Sequence, residues 1–228
     1  MTNTEKTTGA LRNDITEMVF ILDRSGSMAG LESDTIGGFN GMLRDQKKKE
    51  DRALVTTVLF NHASFTLHDR LPIEEVEEMT DRDYQVGGCT ALIDALGETI
   101  DHIRKIRKYI RPEDVPAKTV FVITTDGLEN ASHTYTSGQV KSTITELQSQ
   151  GWEFLFLGAN IDAVQTAAQY GIRKENAVDY HADSTGTGVV YESVSNAIEC
   201  FRASASPCMA PNWSAKVKKD FKSRKKNR

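Results

Sequence analysis

The stretch EMVFILDRSGSMAG, residues 17–30, joins an apolar run directly to three side chains that carry oxygen. A short apolar run without polar alternation predicts a β-strand that is buried on both faces. Asp23 ends the run, and Ser25 and Ser27 follow at alternate positions, so an extended or turning backbone can direct the three side chains to the same side. The stretch therefore predicts a strand of a parallel sheet with polar side chains at its carboxyl end.

Further apolar runs and helical patterns follow in alternation. Strands are predicted at 53–60, 119–124, 152–157 and 176–180, and helices at 92–110, 138–150, 161–170 and 187–203. Alternating strands and helices favour a mainly parallel sheet with helices on both faces. Residues 62–71 follow their strand after a short polar link, which predicts an antiparallel strand at one edge. The predicted fold class is α/β, a doubly wound three-layer sandwich.

The composition is typical of a globular protein. The 228 residues include 39% hydrophobic and 26% charged residues, which fits one α/β domain and excludes disordered, collagen-like and membrane-spanning classes. Residues 1–14 lack the apolar segment of a signal peptide, so a cytoplasmic location without membrane association is expected. Cys89, Cys200 and Cys208 have no metal-ligand spacing and are expected to be free thiols.

Charge divides the chain into three predicted parts. Residues 1–14 form a polar leader, residues 15–205 form the domain, and residues 206–228 form a basic tail that is predicted to be flexible. Residues 216–228 carry a net charge of +7, whereas the whole chain carries −4, so the remainder carries −11. A basic segment can bind nucleic acid or an acidic protein surface. Nucleic-acid binding through residues 216–228 is therefore an alternative function.

Two later motifs add oxygen side chains at the same edge of the predicted sheet. Asp126, in TTDG, follows the strand 119–124, and Thr90, in GGCT, precedes the long helix. Doubly wound sheets bind ligands at the carboxyl ends of their strands. Each motif alone is explained by helix capping or a turn. Together, however, two carboxylates and three hydroxyls without His or Cys at zinc spacing predict a site for a hard cation. Mg²⁺ is the predicted metal, Mn²⁺ is an alternative, and Ca²⁺ is less favoured because it usually takes more oxygen ligands. The predicted ligands are Asp23, Ser25, Ser27, Thr90 and Asp126.

These five positions, in this order, resemble the metal-ion-dependent adhesion site of von Willebrand factor type A domains. The resemblance covers about residues 15–203. It implies the sheet order 3-2-1-4-5-6, a metal between the first and fourth strands, and a partner protein whose Asp or Glu carboxylate completes the metal coordination. The chain looks most similar to bacterial intracellular members of the tellurite-resistance-associated kind. That likeness implies a stress-response adaptor, not an enzyme, whose partner is an ATPase, a kinase or a phosphatase.

Two interpretations of the site residues stay open at this point. Glu129 and Asn130 follow Asp126 and are predicted to contact the partner, with capping as the alternative. Asp23 after an apolar strand also suits a Mg²⁺-dependent phosphoryl-transfer hydrolase. Haloacid-dehalogenase-like phosphatases place a second aspartate two residues later, where this chain has Ser25, which disfavours that alternative. Asp23 is expected at a polar rim of the fold and Cys89 as a small buried residue.

Overall fold

The computed structural model describes residues 15–205 and 208–225. The strands in these residues are β1 (Thr16–Asp23), β2 (Ala53–Phe60), β3 (Ser64–Pro72), β4 (Lys118–Thr125), β5 (Trp152–Ala159) and β6 (Ala177–Tyr180). The α-helices are α1 (Glu32–Lys47), α2 (Leu92–Arg107), α3 (Ser137–Ser149), α4 (Ala163–Gln169), α5 (Ser184–Ala203) and α6 (Ala215–Lys225). None of these described helices is long and apolar enough to cross a membrane.

The six strands form one sheet in the order β3-β2-β1-β4-β5-β6. All neighbouring strands are parallel except β2 and β3, which are antiparallel at one edge. Strand β1 lies at the centre, between β2 and β4, and all of its residues are buried. The predicted fold class, strand order and antiparallel edge strand are therefore confirmed. The carboxyl ends of the parallel strands, with the loops that follow them, form one edge of the sheet, here called the carboxyl edge.

Helices cover both faces of the sheet, which explains the unbroken apolar run at residues 18–22 of β1. Met18, Phe20 and Leu22 pack towards α1 and α5. Val19 and Ile21 pack on the opposite face, towards α2, α3 and α4. Because successive side chains of a strand point to opposite faces, both sets must be apolar in a three-layer fold.

One buried charge interrupts the apolar character of β1. Glu17 is fully buried, and its carboxylate accepts hydrogen bonds from the guanidinium groups of Arg70 and Arg107. The Arg107 Nη2 atom lies 2.6 Å from Glu17 Oε2, and the Arg107 guanidinium carbon lies 4.4 Å from the centre of the Trp152 ring. The three charges join β1, β3 and the last turn of α2. Sequence periodicity does not reveal this cluster.

Helix α1 is an element that the sequence patterns did not predict. Its apolar stripe is interrupted by Gly37, Gly38 and Gly41, which are poor helix formers. The structure shows one reason for glycine there, because a Cβ atom on Gly38 would lie 2.4 Å from Cδ2 of Tyr191 in α5. Close packing of α1 against α5 thus requires a residue that weakens the helical signal.

Residues 208–225 of the predicted basic tail form a turn and helix α6, which pack against the domain. Met209, Trp213 and Val217 are buried in the same apolar cluster as residues of β6 and α5, and Trp213 Nε1 donates a hydrogen bond to Glu175 O at 3.1 Å. Arg224 Nη1 also binds the carboxylate of Asp183 at 2.7 Å. Three buried apolar side chains therefore anchor this basic segment to the domain. Residues 1–14, the predicted leader, lie outside the described residues.

Candidate metal site

Two adjacent strands bring the predicted carboxylates together at the carboxyl edge. β1 and β4 are parallel neighbours with Leu22 opposite Thr124, so Asp23 lies one residue and Asp126 two residues beyond this pair, at the same edge of the sheet. The loop after β1 contains a short 3-10 helix, Gly26–Met28, immediately after Ser25. The pairing of β1 with β4 is therefore sufficient to place both carboxylates at the same edge of the sheet.

The hydroxyl groups converge on these carboxylates. Ser27 Oγ donates a hydrogen bond to Asp126 Oδ1 at 2.5 Å, and Ser25 Oγ lies 3.1 Å from Ser27 Oγ. A Cβ atom on Gly127 would lie 3.1 Å from Ser27 Oγ and 3.2 Å from Thr90 Oγ1. The absence of a side chain at Gly127 thus leaves space between the hydroxyl oxygens. With Asp23 Oδ1 accepting from Ser25 N at 2.7 Å, the structure brings the five predicted residues together. These residues are Asp23, Ser25, Ser27, Thr90 and Asp126.

Both carboxylates are buried without a neutralising side chain. Asp23 is 0% and Asp126 5% exposed, so the expectation that Asp23 lies at a polar rim is wrong. Burial raises the pKa of Asp23 although Thr125 and Ser25 donate hydrogen bonds to it. Burial also raises the pKa of Asp126, and the nearby charge of Asp23 acts in the same direction. Within the described part of the chain, the ion pairs to Lys, Arg or His involve neither carboxylate.

This arrangement fits a divalent cation. Burying a carboxylate is costly unless a positive charge or hydrogen bonds compensate, and here two lie together. Three hydroxyl oxygens around the same space complete a set of hard oxygen donors. No cluster of three or more His, Cys, Asp or Glu side chains among the described residues could hold a metal, so a metal here depends on the hydroxyl ligands. The residues present therefore suit Mg²⁺ or Mn²⁺ better than zinc.

The two predicted partner contacts have internal roles. Asn130 Oδ1 accepts a hydrogen bond from Thr90 N at 2.9 Å, and Asn130 N donates to Thr90 O at 3.0 Å. The Glu129 carboxylate accepts from the backbone N–H groups of Ile93, Ala131 and Ser132 at 2.7–2.9 Å. These contacts favour the capping interpretation of both side chains. They hold the loop after β4 against the start of α2 and so fix the distance between Asp126 and Thr90.

Sequence reasoning missed two residues that support the site. Thr125 Oγ1 donates to Asp23 Oδ2 at 2.6 Å and orients that carboxylate. Asp94, in the first turn of α2, accepts backbone hydrogen bonds from residues 133–135 at 2.8–3.2 Å. No local sequence pattern predicts the role of either residue, because their hydrogen-bond partners come from distant segments of the chain. Cys89, expected as a buried residue, is exposed beside Thr90, and the three cysteines of the described residues are free thiols.

Replacement of Asp94 by alanine should reduce the free energy of unfolding by about 1–3 kcal/mol at pH 7, because it leaves backbone N–H groups without their acceptor. Burial raises the pKa of Asp94, but the hydrogen bonds from His133, Tyr135 and Thr134 outweigh it and lower the pKa below its ordinary value of 3.8. The stabilisation is therefore present above pH 3.8 and is lost as the pH falls through the lowered pKa. Urea unfolding at neutral and acidic pH measures this difference. The exposed Asp81→Ala is the control, and an equal loss in both variants would contradict the prediction.

Sequence comparisons do not assign the chain to a family. No protein-family model matches the sequence, and no curated protein matches it. Solved structures are similar in fold. The von Willebrand factor domain of the type V pili tip protein Mfa5 from Porphyromonas gingivalis matches 84% of this chain and 97% of its own, with a TM-score of 0.60 and 9% identity. This chain has the von Willebrand factor type A fold.

Two further structures with the same fold contain metal. Manganese-loaded TRAP protein from Plasmodium vivax matches 77% of this chain and 71% of its own, with a TM-score of 0.53 and 17% identity. Proximal thread matrix protein 1 from the mussel byssus, with a zinc-occupied adhesion-site motif, matches 81% of this chain with a TM-score of 0.53 and 15% identity. The match covers only 46% of the mussel protein. At these identities the likeness establishes the fold alone.

Proposed function

We propose that this von Willebrand factor type A fold is a metal-dependent protein-interaction domain. The observation that carries the proposal is the convergence of two buried carboxylates and three hydroxyls around the space beside Gly127. The ion pairs of the described residues leave both carboxylates without a positive partner, and a divalent cation would supply one. The metal-loaded structures of similar fold support a divalent metal at this edge. The proposed ligands, direct or through water, are Asp23, Ser25, Ser27, Thr90 and Asp126.

The proposed metal is Mg²⁺, with Mn²⁺ as the alternative. Both accept hard oxygen ligands and keep water in their coordination shell, whereas Ca²⁺ usually draws six to eight oxygens. Two carboxylates formally neutralise the ion, and hydroxyl groups donate weakly. An incoming carboxylate can therefore complete the shell. Ser27 is exposed while Asp23 is fully buried, so the open side of the site faces solvent through the loop after β1.

The proposed partner is a protein that presents an Asp or Glu carboxylate. We place this adaptor in the bacterial cytoplasm, in a stress-response pathway with an ATPase, a kinase or a phosphatase, on the basis of the sequence resemblance alone. The alternative of nucleic-acid binding through residues 216–228 has less support from the structure than from the sequence. Lys216 pairs with Glu192, and Arg224 pairs with Asp183 and Asp220, so part of that charge is neutralised within the domain.

We propose that Asp23 is a metal ligand and not a catalytic nucleophile. Both of its carboxylate oxygens accept hydrogen bonds, one from Ser25 N and one from Thr125 Oγ1. The position of the usual second acid of such hydrolases is Ser25, which has no carboxyl group to act as the general acid or base. We expect no turnover of a generic phosphomonoester in the presence of Mg²⁺.

Calorimetric titration of the EDTA-treated protein with Mg²⁺, Mn²⁺ and Ca²⁺ tests the proposal. We expect one ion of Mg²⁺ or Mn²⁺ per chain and weaker binding of Ca²⁺. If binding is weak, the titration is repeated in acetate, because a carboxylate completes the metal shell. Absence of binding under both conditions would refute the proposed site and leave the five residues as caps and turns.

Replacement of Gly127 by alanine should weaken Mg²⁺ or Mn²⁺ binding at least about tenfold, because the new methyl group enters the space between the hydroxyl oxygens. Its Cβ atom would lie 3.1 Å from Ser27 Oγ and 3.2 Å from Thr90 Oγ1. The backbone of Gly127 is not among the left-handed glycines, so an L-residue is tolerated. Calorimetry measures the affinity, and urea unfolding should change by less than about 1 kcal/mol. Gly138→Ala, in open space on α3, is the control. Unchanged affinity in Gly127→Ala would contradict the placement of the ion.

A further inference from the structure

Exposed apolar side chains are concentrated around the proposed metal site. Among the described residues, the large hydrophobic side chains that are exposed are Phe65 at 49%, Leu128 at 64%, Val164 at 38% and Tyr109 at 81%. Three of them lie at the carboxyl edge. Phe65 is the second residue of β3, Leu128 lies in the loop after β4, and Val164 is in the first turn of α4. Tyr109 follows the end of α2, about 24 Å along that helix from the edge. Scattered exposed apolar residues need no explanation, but a group around a binding site does.

Leu128 is held on one side of the site. It lies two residues after Asp126, and its loop is fixed on the C-terminal side by the hydrogen bonds of Glu129 and Asn130. The side chain itself points away from the core, since it is the most exposed hydrophobic residue of the carboxyl edge. A rigid loop with an exposed leucine gives an apolar contact at low entropic cost.

Phe65 and Arg24 form the opposite side of the site. Phe65, near the start of β3, pairs in register with Leu59 near the carboxyl end of β2. Arg24 follows Asp23 directly, its backbone N–H donates to Phe60 O at 2.7 Å, and its guanidinium carbon lies 5.6 Å from the centre of the Phe65 ring. The cation–π contact holds a half-exposed aromatic ring next to the loop that supplies Ser25 and Ser27.

We propose that the partner binds through an extended segment in which apolar side chains lie two residues before and two residues after the metal-binding Asp or Glu. This inference rests on the proposed function. β3 lies two strand spacings from β1, and β4 lies one spacing away on the other side. The distance across the site from Phe65 to Leu128 is therefore about 15 Å, which an extended segment of about five residues spans. Side chains two residues apart in an extended segment point to the same face, so the carboxylate can bind the metal while the apolar side chains two residues away contact Leu128 on one side and the Phe65–Arg24 pair on the other.

Two synthetic peptides test this inference on the full chain in saturating Mg²⁺. Both have blocked termini, and their sequences are Leu-Gly-Asp-Gly-Leu and Ser-Gly-Asp-Gly-Ser, which place the varied side chains on the same face of an extended segment as the aspartate. Calorimetry should give an affinity at least about tenfold higher for the leucine peptide, because leucine side chains gain by leaving water. Leu128→Ser or Phe65→Ser should remove most of this preference. Tyr109→Ser, the matched exposed residue at the opposite edge, should leave it unchanged.

The outcomes separate this inference from the proposed function. The metal titration is repeated for each variant without peptide, so loss of the metal is recorded independently. If Mg²⁺ binds but both peptides bind equally or not at all, the inference is overturned and the metal site stands. An equal effect of Tyr109→Ser and Leu128→Ser overturns it as well. Light scattering that shows a dimer lost in Leu128→Ser would assign the apolar side chains to a second copy of the chain and also overturn it. If Mg²⁺ and Mn²⁺ do not bind to the unaltered protein, with or without acetate, the proposed function fails and the inference with it.

Discussion

Replacement of Asp23 by alanine is expected to reduce the affinity for Mg²⁺ or Mn²⁺ by at least about 100-fold. Asp23 supplies one of only two carboxylates at the site, and it is fully buried at the end of the central strand. The three hydroxyl groups that remain are weak donors and carry no charge. With Asp126 alone, the site compensates half of the ion's charge, so the cost of removing its water shell is no longer offset.

The stability of this variant depends on two opposing effects. Asp23 accepts hydrogen bonds from Ser25 N at 2.7 Å and Thr125 Oγ1 at 2.6 Å, and loss of the acceptor destabilises the loop by about 1 kcal/mol for each bond. Removal of a buried charge beside Asp126 acts in the opposite direction. The net change in the free energy of unfolding should therefore stay within about 2 kcal/mol. The variant should fold, although the reason is compensation and not a position at the surface.

Calorimetry and thermal unfolding with and without Mg²⁺ measure both quantities. Added metal should raise the unfolding temperature of the original chain, because it binds the folded state alone, and should leave that of Asp23→Ala unchanged. Asp162→Ala is a matched control at the same edge, since Asp162 caps α4 by accepting from Gln165 N at 2.8 Å. It should lose about 1 kcal/mol of stability and no metal affinity. Retained metal binding in Asp23→Ala would show that the ion binds elsewhere and would contradict the prediction.

The sheet was predictable because its information is local. Each buried strand is mainly apolar over most of its length, as in residues 119–124 and 154–157, and the intervening helices favour parallel connections. The candidate ligands were predictable for the same reason. Asp23 and Asp126 stand next to strand ends, so the topology alone brings them together. The strand order was predicted from the resemblance to von Willebrand factor type A domains, and the structure confirms this order.

The elements that were missed depend on contacts between distant segments. Helix α1 contains glycines because Tyr191 packs on Gly38, a requirement that only the folded chain reveals. The basic C-terminal segment folds because Trp213 and Val217 bury against β6 and α5, but its lysines dominate any local pattern. Likewise, Asn130 was expected to face a partner and instead holds Thr90 in place. In each case the decisive neighbour belongs to a different element or loop of the fold, and the periodicity of a single element carries no information about it.

Replacement of Glu17 by alanine is expected to be the most destabilising of the changes considered, with a loss of about 3–5 kcal/mol in the free energy of unfolding. Glu17 is 0% exposed and binds both Arg70 and Arg107, whose side chains are 11% and 16% exposed. Its removal leaves two largely buried positive charges without a partner and a cavity beside the central strand. The expected loss is comparable to that for truncating a large core residue.

The size of this loss depends on burial, and an exposed ion pair provides the comparison. Asp45 and Lys48 form a pair at 2.7 Å with side chains 56% and 72% exposed. Water screens such a pair, so Asp45→Ala should cost less than about 1 kcal/mol. Urea unfolding of both variants measures the contrast. If Glu17→Ala cost no more than Asp45→Ala, the two arginines would have to reach water in the variant, and the buried cluster would not hold β1, β3 and α2 together. A large loss for Glu17→Ala with unchanged Mg²⁺ affinity per folded molecule would place stability at the amino end of β1 and binding at its carboxyl end.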